Sequence, residues 1–338
     1  MLITHAMPLP KDRIIKEVAM KRQAAFTGEH RMLKGALHCH TTRSDGKDDP
    51  ADVVKYHHQQ GYDFMAVTDH RCYNYKNFAD VPMTIIPGME MDWILPGPGV
   101  HCHHILSFGP AREDGNGFEQ EQRFPSNRIE RPEQTQEMLD WLHANKNITA
   151  YCHPEWSGTP AREFDMLRGN FAMEIWNSGT VMECGKDNNA AYWDELLIQG
   201  QKIYGIATDD GHNMAQHCKG WVRVNSENDL DDILAALQEG RFYSSCGPEI
   251  YDFYVDQGVA HISCSPVSEI QFIHLRVPYP IFRAAPGEAG LTTASVPLVV
   301  TSSPYIRAVV KDAEGRRAWT NPIFLDSSDF LKWKLIPD

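Results

Sequence analysis

The chain has 338 residues, with 32 Lys and Arg against 45 Asp and Glu, for a formal charge of −13. That balance, without any long Lys/Arg block, disfavours nucleic acid and anionic membrane surfaces as partners. The length allows one large α/β domain with a smaller companion. No run reaches the roughly eighteen apolar residues of a membrane span, and Met1 to Pro10 lacks a basic segment followed by an apolar one. Eight cysteines without a CxxC pair read as reduced thiols of a cytoplasmic protein.

Residues 1–30 read as an N-terminal arm whose charged stretch Lys11–Arg22 could be a short helix or extended. Seven short apolar runs follow, at Leu33–His40, Phe64–His70, Thr84–Met91, His103–Phe108, Ile148–Pro154, Phe171–Asn177 and Lys202–Asp210. Helical spacing lies between many of them, at Asp49–Gln60, Arg131–Asn147 and Asn188–Gln199, and again at Asn228–Glu239. Pro50 and Pro132 suit helix starts, and Gly61, Gly200 and Gly240 suit helix ends. The alternation predicts an α/β architecture over 31–245, a barrel or strongly curled sheet. After Arg241 only β-type runs with turns appear, at Ile250–Val255, His261–Cys264, Ile270–Val277, Ser295–Thr301 and Ile306–Lys311, and Asp312–Gly315 reads as a hairpin turn. Residues 246–338 are therefore expected to form a small C-terminal β-sandwich.

The chemistry gathers at the strand ends. His38-Cys39-His40 sets two imidazoles two positions apart, on one face of a strand, a ready metal clamp. Asp45 follows in a Gly-containing turn, and later runs end on His70, Glu90, His153, Asp210 and His212. A further run opens with His103-His104. Six of the seven runs thus carry a His, Asp or Glu at an end, and all but His104 at the C-terminal end, where barrel enzymes keep their sites. A single such residue is ordinarily a hydrogen-bonded core or surface group; this many at successive strand ends point to metal binding. His5, His57, His58, His143, His217, His261 and His274 keep the ordinary reading.

These residues resemble the PHP (polymerase and histidinol phosphatase) superfamily of metal-dependent phosphoesterases. The resemblance rests on His38-Cys-His-Thr-Thr-Arg-Ser-Asp-Gly46, Thr68-Asp-His70, Pro87-Gly-Met-Glu90, His104-Ile-Leu, His153-Pro154 and Asp210-Gly-His212, over about residues 33–245. It implies a distorted seven-stranded (β/α)7 barrel with two or three metal ions at its C-terminal face. His38, His40, Glu90 and Asp210 would form one site; Asp45, His70 and His212 a second; Glu90, His104 and His153 a third, with Glu90 bridging. His103 is an alternative to His104, and Asp209 to Asp210. Gly240-Arg-Phe-Tyr243, Gly247-Pro248 and Lys311 to Pro322 resemble PHP proteins with a C-terminal β-domain, among them relatives of carbaryl hydrolase.

The expected activity is hydrolysis of a small phosphorylated metabolite by metal-bound hydroxide, with Zn, Mn or Fe as the metal. Arg43 and Arg71 are candidate phosphate contacts, Lys186 and Lys219 weaker ones, and Asp69 is read either as a support for His70 or as a turn residue. Amide, carbamate or ester hydrolysis at the same metals is the alternative, and a non-catalytic metal- or ligand-binding protein is the reading from another class. The C-terminal domain could cap the site, mediate homo-oligomerisation or bind a partner.

Overall fold

The computed structural model describes residues 22–26, 30–112, 117–274, 277–298 and 303–325. Of the stretch Lys11–Arg22, all but Arg22 lies outside them. Seven strands match the expected runs: β1 (Met32–Ala36), β2 (Phe64–Ala66), β3 (Gly88–Ile94), β4 (Cys102–Phe108), β5 (Ile148–Tyr151), β6 (Asn170–Asn177) and β7 (Tyr204–Thr208). The third run divides into a short strand Thr84–Ile86 and β3.

Helix α1 (Pro50–Gln59) starts as its sequence dictates: Pro50 needs no N–H bond there, and the Asp49 side chain accepts from the Ala51 N–H. Helix α2 (Thr135–Ala144) is preceded by a 3₁₀ turn at Pro132–Gln134. Helix α3 (Ser178–Cys184) was not legible, because Ser-Gly-Thr reads as loop; the Asn177 side chain caps it by accepting from the Thr180 N–H at 2.8 Å. Helix α4 (Asn189–Ile198) and helix α5 (Leu230–Glu239) follow, the latter closed by Gly240 at φ 75°.

The strands depart from a regular (β/α)7 barrel. β3 to β7 form one sheet, while β1 and β2 belong to another that also takes Thr84–Ile86. The two meet at one end, where Cys39 bridges Gly211 and His70 bridges Glu90. The motif segments themselves thus complete the circuit of seven strands. β4 runs antiparallel to both β3 and β5, so β3 and β4 form a hairpin that needs no crossover helix. Only a 3₁₀ turn at Ala161–Glu163 lies between β5 and β6. The reversal also explains why His104 starts its strand: the beginning of β4 lies beside the ends of its neighbours. Leu33, Phe64, Leu106, Ala150, Ala172 and Ile206 pack as one cluster, closed by Ile233, Ala236 and Leu237 of α5.

Beyond the seven strands come β8 (Trp221–Asn225), β9 (Phe242–Ser245), β10 (Ile250–Asp256), β11 (Val259–Val267), β12 (Glu269–His274), β13 (Val277–Arg283), β14 (Leu291–Pro297), β15 (Tyr305–Lys311) and β16 (Arg317–Thr320). The expected turn Asp312–Gly315 joins β15 to β16. Gln23–Ala24, β10, β11 and β14 make one sheet. The other runs β13-β12-β15-β16-β9-β8-β1-β2 without interruption. Phe253, Ile262, Ile270, Phe272, Ile306 and Val310 fill the space between them. A boundary at 245 therefore falls at the end of β9, and hydrogen bonding continues across it from Tyr243–Ser245 to Ala318–Thr320. Arg307 on β15 reaches α4, where its Nε and Nη2 donate to Asp194 at 2.9 and 2.6 Å and the Tyr305 hydroxyl donates to the same carboxylate at 2.8 Å. No helix among the described residues is long and apolar enough to cross a membrane.

Candidate metal centre

The nine expected ligands meet at the end of the circuit where the two sheets join. Alternation past β1 turns His38 and His40 to the same side, their Nε2 atoms 3.1 Å apart, while Cys39 turns away to donate to the Ala66 carbonyl. Gly46 makes the following turn feasible: a Cβ there would stand 2.5 Å from the carbonyl carbon of His40. The turn returns Asp45 to 3.5 Å from His40 and His70 and 3.4 Å from His212.

Glu90 is central. Its Oε2 lies 3.4, 3.2 and 3.1 Å from nitrogens of His38, His40 and His70, and its Oε1 lies 2.8 and 3.3 Å from those of His104 and His153. Asp210 faces the same imidazoles, at 3.3 Å from His38, 3.1 Å from His40 and 3.6 Å from His153. It holds φ 51°, and Arg71 holds φ 53° beside His70. Left-handed backbone at a non-glycine residue costs on the order of 1–3 kcal/mol and clusters at functional sites.

Among the groups whose donor atoms are close enough to share an ion are three built from the expected ligands: His38, His40, Glu90 and Asp210; His40, Asp45, His70 and His212; and His70, Glu90 and His104. His40, His70 and Glu90 each belong to two of them. Of the alternatives, Asp210 rather than Asp209 and His104 rather than His103 face this cluster. His103 lies on the opposite face of β4, edge-on to Tyr151, and Asp209 accepts from the backbone N–H groups of Cys218, Lys219 and Gly220.

The electrostatics follow from burying carboxylates among imidazoles. Burial alone opposes charge on His38, but Asp210, Glu90 and Glu174 raise its pKa well above the ordinary value. Burial likewise works against His40 and His104, yet Asp210 and Glu90 lift His40 to about 9 and Glu90 lifts His104 to about 10. His70 is lowered to about 4, by burial together with its neighbours His40 and His104. Despite its burial, Glu90 is held well below the usual carboxylate range by His70, His38 and His104.

Other residues around the cluster were missed. Glu174, in the middle of β6, accepts from His38 Nδ1 at 2.6 Å, the Thr208 hydroxyl at 2.6 Å, the Asn177 amide at 2.9 Å and the His153 N–H at 2.9 Å. Its one sequence signal was a carboxylate inside the buried run Phe171–Asn177. Trp156 stands edge-on to His153 and tilted over His104. With Lys47, Thr180, Glu183 and Asn213 it lines a cavity of about 280 Å³ over the cluster.

The expected substrate contacts lie elsewhere. Arg43 pairs with Glu121 at 2.9 Å, and Arg71 pairs with Asp92; neither lines the cavity. The Lys186 ammonium donates to the Glu155 carbonyl, and neither Lys186 nor Lys219 lines the cavity. Asp69 does not orient His70. It accepts from the Thr41 N–H and hydroxyl, the Ser44 hydroxyl and the Asn74 amide, and so holds the loop that leads to Asp45.

No family model and no curated relative matches the sequence. Solved structures similar to the chain include the following three. A two-domain protein from Bacteroides vulgatus, described as containing a PHP-like metal-dependent phosphoesterase, has a TM-score of 0.44 at 14% identity, over 90% of this chain and 100% of that one. A protein from Bifidobacterium adolescentis, described as a metal-dependent phosphoesterase by assignment, has a TM-score of 0.40 at 14% identity, over 63% and 98%. An amidohydrolase from Chromobacterium violaceum, with sulfate and no metal bound, has a TM-score of 0.39 at 13% identity, over 62% and 96%.

Proposed function

We propose that the protein is a metal-dependent hydrolase of small phosphoesters, with His38, His40, Asp45, His70, Glu90, His104, His153, Asp210 and His212 holding two or three divalent ions of the Zn, Mn or Fe class. The observation that carries the reading is the Glu90 carboxylate with five imidazole nitrogens within 3.4 Å. The donor set fits such ions in two further respects. Glu90 Oε2 and His70 Nδ1 are buried 3.1 Å apart in a geometry that makes no hydrogen bond between them or to any other group. The Nε2 atoms of His38 and His40 face each other although the His38 N–H is committed to Glu174. Bound there, divalent ions would polarise a substrate oxygen and make water a nucleophile near neutral pH.

The chain's own residues supply position and selection. Glu174 and Ser157 take the outer nitrogens of His38 and His153, so that each ring keeps its other nitrogen toward the cluster. Trp156 walls the cavity, and its volume suits a small substrate. Lys47 is the one lysine or arginine among the described lining residues and would receive an anionic substrate group. Hydrolysis of an amide, carbamate or ester is a second reading, favoured by the absence of an arginine from the same lining and the presence of Glu183 in it.

The test is turnover by metal-loaded protein across phosphomonoesters, phosphodiesters, aryl esters and carbamates, beside elemental analysis. Phosphoester turnover that disappears on chelation and in His40→Ala supports the first reading. Turnover of esters or carbamates alone selects the second, and metal-replete protein silent on the whole panel sinks both.

A further inference from the structure

A second cluster of ligand-type side chains lies apart from the cavity, behind the segment that carries Asp210 and His212. It joins His57 from the last turn of α1, Asp209 from the end of β7, and His217 from the loop before β8. One nitrogen of each ring and one oxygen of the carboxylate all lie within 4.8 Å of one another. All three residues are buried, both histidines with no exposed surface. The two rings meet at 5.1 Å between centroids.

Hydrogen bonding leaves this cluster unfinished. His57 Nδ1 donates to the Val53 carbonyl at 2.9 Å, which fixes its proton and leaves Nε2 as a lone-pair donor with no partner. Neither nitrogen of His217 has a partner. A buried polar atom without a partner costs on the order of 1–3 kcal/mol, so three in one cluster call for an occupant. Protonation does not supply one: burial holds both rings neutral, His57 at about 4 and His217, with His57 and other imidazoles nearby, at about 3. Asp209 is oriented independently, its Oδ1 by the Ser178 hydroxyl and the N–H groups of Lys219 and Gly220, its Oδ2 by the N–H of Cys218. The fold also makes room for the imidazole: a Cβ at Gly211 would stand 2.3 Å from His217 Nδ1.

We infer that His57, His217 and Asp209 form a buried binding site for a transition-metal ion of the Zn²⁺ class. Two neutral imidazoles and one carboxylate are a normal ligand set for such an ion, with a fourth position left for water. The ion would tie α1 to the segment 209–217 and so brace the backbone that presents Asp210 and His212. On this inference His57 and His217 would be metal ligands instead of the ordinary core histidines expected from the sequence.

The experiment reads Co²⁺ binding to the full chain after chelation, so that it does not depend on hydrolysis. His40→Ala, Asp45→Asn and Glu90→Gln are combined to disable the cluster under the cavity, and His217→Gln is then added. The triple variant is expected to keep one Co²⁺ per chain with the visible absorption of a four-coordinate site, and the added His217→Gln to lose it. In an otherwise unaltered chain, His57→Gln and His217→Gln should each bind one equivalent fewer by native mass spectrometry with unchanged circular dichroism, which covers misfolding of the multiple variant. Metal stoichiometry equal to that of the unaltered chain in both single variants would overturn the inference. An unaltered chain that binds a single equivalent, kept in the triple variant and lost in His217→Gln, would instead sink the proposed hydrolase centre and leave the inference standing.

Discussion

The Nδ1 of His38 lies 2.6 Å from Oε1 of Glu174, a contact between fully buried side chains 136 positions apart in the chain. It decides which nitrogen His38 can offer to the cluster. Removing the acceptor's charge weakens that preference, and losses of about 10–100-fold in metal affinity are usual for such outer partners. Glu174→Gln, which keeps the side-chain volume, is expected to lower metal affinity within that range. Calorimetric metal titration checks it, and an affinity equal to that of the unaltered chain would show that the contact serves packing alone.

Lys47 tests how the cavity selects substrate. A hydrogen bond to a charged group contributes roughly 1.5–3 kcal/mol, so Lys47→Ala should raise KM for an anionic substrate at least about tenfold. Metal content should not change, since the bond Lys47 makes to the ligand segment runs from its backbone N–H to the His212 carbonyl, and alanine keeps it. Steady-state kinetics beside elemental analysis separate the two effects; a KM increase accompanied by metal loss would speak against a substrate contact.

The joint between β15 and α4 rests on a buried charge pair. Arg307 is 2% exposed and Asp194 5%, and Arg307 also stacks over Trp193 at 4.7 Å. Breaking one half leaves an uncompensated buried charge, at a cost of about 3–5 kcal/mol. Asp194→Ala should therefore shift the urea midpoint by that equivalent, with one transition if the sheet that passes through β9 and β16 couples the two parts. Two separated transitions would show that they unfold independently.

Acid sensitivity follows from His57. Burial lowers its folded pKa to about 4 from the ordinary imidazole value of 6.5, so between these values the unfolded chain binds more protons and stability rises with pH. The contribution is complete above about 6.5 and is lost as pH falls through about 4, on the order of 3 kcal/mol in all. Denaturation of metal-stripped protein across this window should show that slope, reduced in His57→Gln. An unchanged slope in the variant would assign the acid sensitivity to other groups.

The sequence by itself determined the strands and the kinds of residue at their ends. Apolar alternation and capping signals act over a few neighbouring positions, which is why β1 to β7, α1 and the clamp of His38 and His40 could be read directly. The tertiary structure alone decided partners and directions. β4 runs backwards because it forms a hairpin with β3, and only then does His104, at the wrong end of its strand, join the others. Asp69 turned toward Thr41 rather than His70, Arg71 toward Asp92 rather than the cavity, and Glu174 toward His38. Each choice depends on which distant segment packs alongside, and the donors and acceptors of these side chains would have satisfied several partners equally well until the fold brought one of them within reach.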